Sequence, residues 1–576
     1  MSKEQTILAR QPTNKQHINS TPRDFTKARQ KFNAMFQSRE KWVSKWRDIR
    51  DYQLPHIGVF DDEEDYSKSH SQNIYNGTAW EACQIFAAGV MSGLTPPSRQ
   101  WFKLSMDSVE MQSQGDVAKI LDERQQILQS VLAKSNFYNA VFRVYLELPF
   151  GQSPMAIFSD SDSAVRYVPY TVGTYALGCD ATGKINTFAR KYRMTAQQIV
   201  DQFGEKSVPQ QIVDAANSAT NTNTYIVNWL VEPNSNADGR LGNNHMPYTS
   251  LYWTNGQDST QCLYYGGFEE WPIPVARYYV QELDPYGKGA AWFAQDDCRM
   301  LQKLEYDHLI AVELAVKPPM QVPSGLAGEV NLFPGGITEN DSNELVKPVF
   351  DVRIDGQSLA GKINEVEERI KRYYAADLFL MLNELDNGQM TAREVMERTQ
   401  EKLQQLGPVV ERLLSEFLNP IIERTYAILD RAGVFPPLPD DVAQQLANED
   451  VKIEYISPLA QAQKMSSLVN IEQAWAFIMN LAQADPSILQ KFNMQEAVNI
   501  YFNNLGAPAP ILRSDEEYQQ IMQQMQQQQQ EASEKQETQQ NLDQLGQLAQ
   551  SAKVATDAAN DGNPAMQEWL GMGGGE

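Results

Sequence analysis

Residues 165–193, VRYVPYTVGTYALGCDATGKINTFARKYR, admit two opposed readings, and the choice between them decides the fold. Gly178-Cys179-Asp180-Ala181-Thr182-Gly183-Lys184 spells the GxxxxGK of a phosphate-binding loop, the best enzymatic lure in the chain. Ile185, however, stands where that loop needs a Ser or Thr hydroxyl for magnesium. The residues that follow are β-branched and aromatic rather than a helix start, so the helix dipole that would hold a phosphate is missing. A β-rich run broken by Asp-Ala-Thr-Gly predicts antiparallel strands joined by a hairpin turn.

Working outward, Met194 hands over to a helix with Thr195 and Gln198 as a capping box and Gly204 as its C-cap after Phe203. More β-rich sequence follows at 224–280. On the other side, Thr21-Pro22 supplies an N-cap and first-turn proline for one long amphipathic helix ending near Leu54-Pro55. Its stripe of Phe32, Phe36, Trp42, Trp46 and Ile49 is read as a core face rather than a base-stacking surface.

Further along, a helix near 292–317, Pro318-Pro319, a Gly/Pro-rich stretch to about 355 and a helix at 358–383 make a helix, insert, helix hairpin. In the second helix Ile363, Val366, Ile370, Tyr373, Asp377 and Met381 share one face, with Glu365, Glu368, Lys371 and Arg372 on the others. The polar run Asn383–Gly388 interrupts, and Thr391 with Glu394 restarts a helix by a second capping box. That helix is expected over Ala392–Ala432, about 60 Å, with Gly407-Pro408 and Pro420 as kink sites and Gly433 as C-cap. Helices carrying Trp475, Phe477, Phe492 and Phe502 are expected at 459–506. Beyond 514 the chain turns glutamine-rich, and Leu542, Leu545 and Leu548 permit one more helix.

A chain of 576 residues, 42% hydrophobic and 10% aromatic, can bury several cores, so two to four domains are expected. Residues 1–50 hold 12 Lys/Arg against 4 Asp/Glu, a local +8 in a chain of net −24, which leaves −32 for the rest. Such a body repels phosphate backbones and excludes high-affinity duplex binding over most of its surface. No apolar run reaches the roughly 18 to 20 residues of a bilayer span, and the polar N-terminus lacks a signal peptide's apolar core. The expectation is a soluble, unexported protein.

Catalytic chemistry is sparse. Cys83, Cys179, Cys262 and Cys298 form no CxxC pair, and none of the five histidines (His17, His56, His70, His245, His308) has a partner at metal-binding spacing. The run 61–65, DDEED, is read as a solvated loop. Asp160 with Asp162, and Glu367 with Glu368, are pairs expected by chance among 73 acidic residues. No catalytic residue, cofactor or metal site is assigned.

Two stretches carry a resemblance. Residues 89–102, GVMSGLTPPSRQWF, with Gly93, Pro96, Pro97 and Trp101, resemble the signature of the head-to-tail connecting (portal) proteins of short-tailed bacteriophages. Thr391-Ala392-Arg393-Glu394-Val395, then Glu397-Arg398, Glu401 and Leu406-Gly407-Pro408, resemble that family's long channel-side helix and its break. Arg190–Gln198 with Phe203-Gly204, Lys317-Pro318-Pro319 and Leu332–Gly336 agree more weakly, and the resemblance spans roughly residues 22–440.

The resemblance implies an α+β, mainly α subunit of a homododecameric ring with wing, stem, clip and crown regions around a DNA channel. It implies an N-terminal arm and wing at 1–291, stem helices at 292–317 and 356–382, and a clip at 318–355. A tunnel loop would follow at 383–390, a long kinked helix at 391–440, a crown at 441–513, and a tail or barrel helix at 514–576. Glu384, Asp386 and Asn387 are the candidates for the constriction, and Lys371 and Arg372 for scattered phosphate contacts, solvated helix or intersubunit salt bridges. The implied partners are other copies of the chain, double-stranded DNA, terminase, major capsid and scaffolding proteins, and tail adaptor or nozzle proteins. No enzyme activity, cofactor or membrane is implied. The place is the capsid portal vertex of the virion, and the host cytoplasm during assembly. The basic residues 1–50 would bind the acidic flank of a neighbouring subunit or the inner shell, with an arm that tightens the ring as the preferred reading. The rival readings are another ring-forming phage protein, such as a tail adaptor or internal core protein, and a nucleic-acid enzyme.

Overall fold

A computed structural model describes residues 25–60, 70–106, 115–218, 223–235, 245–255, 262–322, 346–349, 356–379, 406–437, 451–457, 474–479, 521–525 and 542–554, with a few isolated positions between them. The chain divides into two units, residues 1–107 with 119–506, and residues 108–118 with 507–576. The fold mixes helix and strand. The helices of the first unit, of which α3 has its first four residues in the second, are α1 (Phe25–Tyr52), α2 (Thr78–Leu94), α3 (Gly115–Lys134), α4 (Phe137–Glu147), α5 (Ala196–Phe203), α6 (Gln210–Ala216), α7 (Ala290–Phe293), α8 (Gln295–Val316), α9 (Gly356–Tyr373) and α10 (Asn419–Arg431). Its principal strands are β1 (Phe102–Met106), β2 (Gln152–Asp160), β3 (Ala164–Pro169), β4 (Tyr175–Cys179), β5 (Ile185–Thr195), β6 (Thr224–Pro233), β7 (Tyr248–Thr254), β8 (Tyr264–Phe268), β9 (Val275–Arg277) and, near the C-terminal end, β10 (Val451–Tyr455).

Strands β4 to β8 form a five-stranded antiparallel meander in chain order. Because successive residues of a strand point to opposite faces, the register sorts the side chains. Ala189 pairs with Leu230 and Leu230 with Leu251, and these share a core with Phe25, Ala28 and Phe32 of α1. Phe188 and Trp229 point the other way, where Trp229 stacks on Tyr252 at 5.4 Å and meets Phe158 of β2 at 6.1 Å. Both faces are therefore covered, one by α1 and one by the small β3-β2-β9 sheet.

The aromatic stripe of α1 is a core face, as its spacing predicts. Phe32, Trp46 and Ile49 are buried, and Phe36 and Trp42 are half-buried. Trp46 lies within 5.3 Å of the Tyr286 ring, and withdrawing a side chain of this size from water stabilises the fold by about 2–3 kcal/mol. Arg39 enters the same interior because its guanidinium donates to the carbonyls of Gly173 at 2.6 Å and Tyr175 at 2.8 Å. Thr21-Pro22, the expected start of this helix, lies outside the described residues.

The capping box of α5 forms as expected, with the Gln198 amide donating to Thr195 Oγ1 at 3.3 Å and the Thr195 amide to Gln198 Oε1 at 2.9 Å. Gly204 ends the helix at φ +79°. Strand β1 pairs antiparallel with β10, from Phe102↔Tyr455 to Met106↔Val451. Nothing local foretells so distant a partner.

The hairpin helices differ from expectation at one point. The helix predicted over 358–383 stops at Tyr373, Ala375 takes a left-handed φ of +52°, and residues 376–379 resume a short helix. The buried face therefore runs Ile363, Val366, Ile370 and Tyr374, while Tyr373 is 42% exposed. The turn brings the Tyr374 hydroxyl to Gln53 Oε1 at 3.1 Å, a buried bond that a straight helix does not provide. Met381 lies outside the described residues. In the second unit, residues 521–525 and 542–554 are helical, and Leu542, Leu545 and Leu548 are exposed.

Candidate functional site

Local sequence explains how residues 89–102 position the hairpin. Helix α2 buries Ala79, Ala82, Cys83, Ala87, Gly89 and Gly93, small side chains that let a neighbour approach the helix backbone. Phe379 occupies that space. A Cβ placed on Gly89 would lie 2.1 Å from the Phe379 ring, and Phe379 also packs edge-on against Phe86 at 5.9 Å. Buried Thr95 shares a hydrogen bond with the Tyr145 hydroxyl at 3.3 Å. Pro96 is buried and Pro97 exposed. Trp101 is buried in a stack with Phe137 at 6.0 Å and Tyr455 at 6.3 Å, and its carbonyl accepts from the Ile456 amide at 3.0 Å. Gly89, Thr95 and Trp101 are internal supports that fix the 376–379 turn and the β1–β10 pair to the body.

Helices α8 and α9 form an antiparallel pair closed at the far end by Met320–Gln321 bridging to Lys347–Pro348. Their base is locked by polar side chains. Gln302, 3% exposed, accepts from the Tyr75 and Asn76 amides at 2.7 and 2.9 Å and donates to the Asn76 carbonyl at 2.9 Å. Asn76 Nδ2 reaches Glu305 at 2.9 Å and Glu367 at 2.7 Å, and Arg369 pairs with Asp297 at 2.8 Å. The sequence reading missed Gln302 and Asn76; the visible signal was a glutamine beside Leu301 on an otherwise apolar face. Past this base the same helix leaves Leu309, Val312 and Val316 exposed at 56%, 42% and 71%. Lys371 pairs within its own helix with Glu368 at 3.7 Å, and Arg372 is exposed.

The GxxxxGK stretch is the turn between β4 and β5. Asp180 Oδ1 accepts from the Thr182 amide at 2.8 Å, the Lys184 amide at 3.0 Å and the Thr182 hydroxyl at 2.6 Å. The Thr182 hydroxyl bond, ahead of the amides, holds that carboxyl below its usual range. A carboxylate thus occupies the amides that a phosphate would need. The Gly183 carbonyl accepts from Arg277 Nη2 at 2.9 Å, and the same guanidinium grips Glu416 with two bonds of 2.7 and 2.9 Å.

Glu416 lies in Leu413–Leu418, a π-helical segment inside the helix that runs from Leu406 to Arg431. The Asn419 amide bonds to the Leu414 carbonyl, five residues back. Pro420 follows; it has no amide to donate, and its ring opposes a regular α-turn. The predicted kink at Pro420 is thus a widened turn, Gly407 and Pro408 lie in helix, and Gly433 ends the run at φ +67°.

Two other buried charges are notable. Glu147, 3% exposed, accepts from the Val172 amide at 2.8 Å and lies 3.7 Å from Arg143. Burial outweighs the nearby Arg143 charge and raises its carboxyl from 4.5 to about 7. Arg424 donates to the Ile157 and Glu270 carbonyls, both at 3.1 Å, and pairs with the Glu270 carboxylate at 3.0 Å; burial lowers it to about 10, so it stays charged. A cleft of about 520 Å³ between α1 and residues 281–288 mixes Lys41 and Lys288 with Glu282 and Asp284, and its Ser38 hydroxyl donates to the Met35 carbonyl at 2.9 Å. Among the described residues no group of three His, Cys, Asp or Glu could hold a metal, and no helix is long and apolar enough to cross a membrane. Glu384, Asp386, Asn387, Thr391, Glu394 and Arg398 lie outside the described residues.

Comparison with known proteins agrees with this architecture. Residues 26–512 match the family described as bacteriophage head to tail connecting protein. The chain is 33% identical over 476 residues to a probable portal protein of Bordetella phage BPP-1, covering 81% of this chain and 85% of that one. It is 32% identical over 492 residues to the portal protein of Salmonella phage epsilon15, covering 84% and 88%.

Proposed function

This chain belongs to the bacteriophage head to tail connecting proteins, and from that premise we propose that twelve copies form a ring at one capsid vertex, through which DNA enters and leaves the head. The ring nucleates head assembly with scaffolding and major capsid proteins in the host cytoplasm, docks the terminase motor, and later holds the tail adaptor or nozzle in the virion. ATP hydrolysis belongs to the motor.

The observation that carries the ring is the half-covered helix α8. A face that its own body buries at Cys298 and Leu301 continues with Leu309, Val312 and Val316 in the open. Such a surface, on a chain whose family connects head to tail, fits contact with a neighbouring copy, and heterologous contacts of that kind close into rings. In this reading α8 and α9 are the stem, 318–355 the clip and 383–390 the tunnel loop with Glu384, Asp386 and Asn387 at the constriction. Lys371 and Arg372 sit on the stem's polar side. An acidic wall repels phosphates and lets a duplex slide, which suits a conduit.

Electron microscopy of the purified chain, with mass measured in solution, tests this. Annular particles of twelve subunits with a central hole are expected. A monodisperse monomer or dimer under assembly-promoting conditions would overturn the ring.

A further inference from the structure

The solvent face of α1 is ordered by charge. Lys27, Lys31, Ala34, Ser38, Lys41 and Lys45 recur three or four residues apart, which sets them in one row along the helix, and all six are exposed. The row is about 27 Å long at the rise of an α-helix. It carries four cations and no carboxylate in a chain with 73 acidic residues against 49 basic, and Glu40 stands off it. Lys31 holds the Glu232 carboxylate at 2.8 Å, so the row already takes carboxylates as partners. Ala34 and Ser38 at its centre are small and let another surface come close.

The opposite face of the meander carries the other sign. Tyr252 and Trp253 are successive in β7 and point to opposite sides of the sheet. Trp253 meets Phe25 and Phe32 of α1 at 5.8 and 4.9 Å, whereas Tyr252 meets Phe203 of α5 at 5.3 Å. Helices α5 and α6 therefore lie across the sheet from α1, and there Asp201, Glu205 and Asp214 are exposed, with Lys206 among them. The side chains bonded to Asp201 and Asp214, Gln197 and Gln210 at 2.9 Å each, are neutral amides, so both carboxylates keep a charge to offer.

We propose that the α1 lysine row of one copy docks on the α5–α6 carboxylates of a second copy. Opposite signs on opposite faces of one sheet make a head-to-tail contact that each copy can both give and receive, and electrostatic complementarity fixes which faces meet. Duplex DNA fits the row less well. The stacking side chains Phe32 and Trp46 are buried, four lysines neutralise few phosphates, and the acidic body around them repels the rest. That the contact closes into a ring of twelve rests on the portal reading; the contact itself does not.

Carbodiimide coupling of lysine amines to carboxylates, on the full chain mixed from unlabelled and isotope-labelled copies, tests the contact. Mass spectrometry of the digest is expected to find mixed-label links from the row to Asp201, Glu205 or Asp214. Links confined to single copies, such as Lys31 with Glu232, or links to other carboxylates of the second copy, would overturn the proposal. So would capture of added duplex DNA by the row with none of these links. In the double variant Lys41→Glu and Lys45→Glu, both side chains being exposed, the urea midpoint of the subunit should hold. Association between copies should fall at least about tenfold at low salt, and mixing with copies that carry Asp201→Lys and Asp214→Lys should restore it. Unchanged association, or no restoration, counts against the contact. Electron microscopy and solution mass of the same samples read the ring separately: rings without the links sink the contact alone, and links in a smaller oligomer sink the ring of twelve alone.

Discussion

Trp46 in α1 and Val316 at the outer end of α8 both sit on apolar helical stripes, yet the first is fully buried and the second is 71% exposed. The body covers its apolar stripes within the chain at these places: α1 lies on the meander, Phe379 lies on Gly89, and Trp101 stacks between Phe137 and Tyr455. The outer hairpin leaves Leu309, Val312 and Val316 uncovered. Period alone marks both stripes, so amphipathicity reports that a face will be covered and not by what.

The sharpest way to break this contrast is Trp101→Ala. If Trp101 is an internal support, the isolated subunit should lose about 3–5 kcal/mol in urea unfolding; a loss under about 1 kcal/mol would mean that the β1–β10 junction does not hold the body together.

Glu147 tests the body's buried charge by pH. Its folded-state value is raised from 4.5 to about 7, so the stability that it contributes is present below 4.5 and is lost as pH rises through 7. Glu147→Gln should match the wild type near pH 4 and exceed it by about 3 kcal/mol above pH 8. Parallel unfolding curves at the two pH values check it, and a difference independent of pH would show that the carboxyl does not titrate in this range.

Gly89→Ala, whose Cβ meets Phe379 at 2.1 Å, should cost about 1–3 kcal/mol by overpacking. The thermal midpoint should fall, and Phe379→Leu in the same background should restore part of it. At the other end of the scale, Val316→Ser should change subunit stability by less than about 0.5 kcal/mol while weakening assembly into rings. A stability loss comparable to that of Trp101→Ala would show that the outer hairpin is covered by its own chain after all.

Much of the architecture is legible in residues read locally. The Thr195–Gln198 capping box, the hairpin turn at Asp180–Gly183, the core stripe of α1 and the C-cap at Gly433 follow from short-range stereochemistry, and each forms where its pattern stands. The helix predicted to run through Tyr373 misses its turn because the reward is a distant one, Tyr374 meeting Gln53. The GxxxxGK stretch shows the same limit from the other side. Its letters permit a phosphate loop, and the Asp180 carboxylate on the turn amides settles otherwise. Among the candidate site residues, Lys371 and Arg372 are visible as helix-surface cations, but their setting, an intrahelical pair for one and open exposure for the other, is spatial information.

By itself the sequence determined the capped helix starts, the hairpin turn, the core stripe of α1 and the acidic body, because capping, turn chemistry and periodicity act over a few residues and charge is additive. Tertiary structure decided what meets what. The pairing of β1 with β10 across some 350 positions of chain, the seating of Phe379 on Gly89 and the Arg277 clamp on Glu416 all join residues far apart in sequence. Such contacts depend on the chain's path in space, which no local pattern specifies.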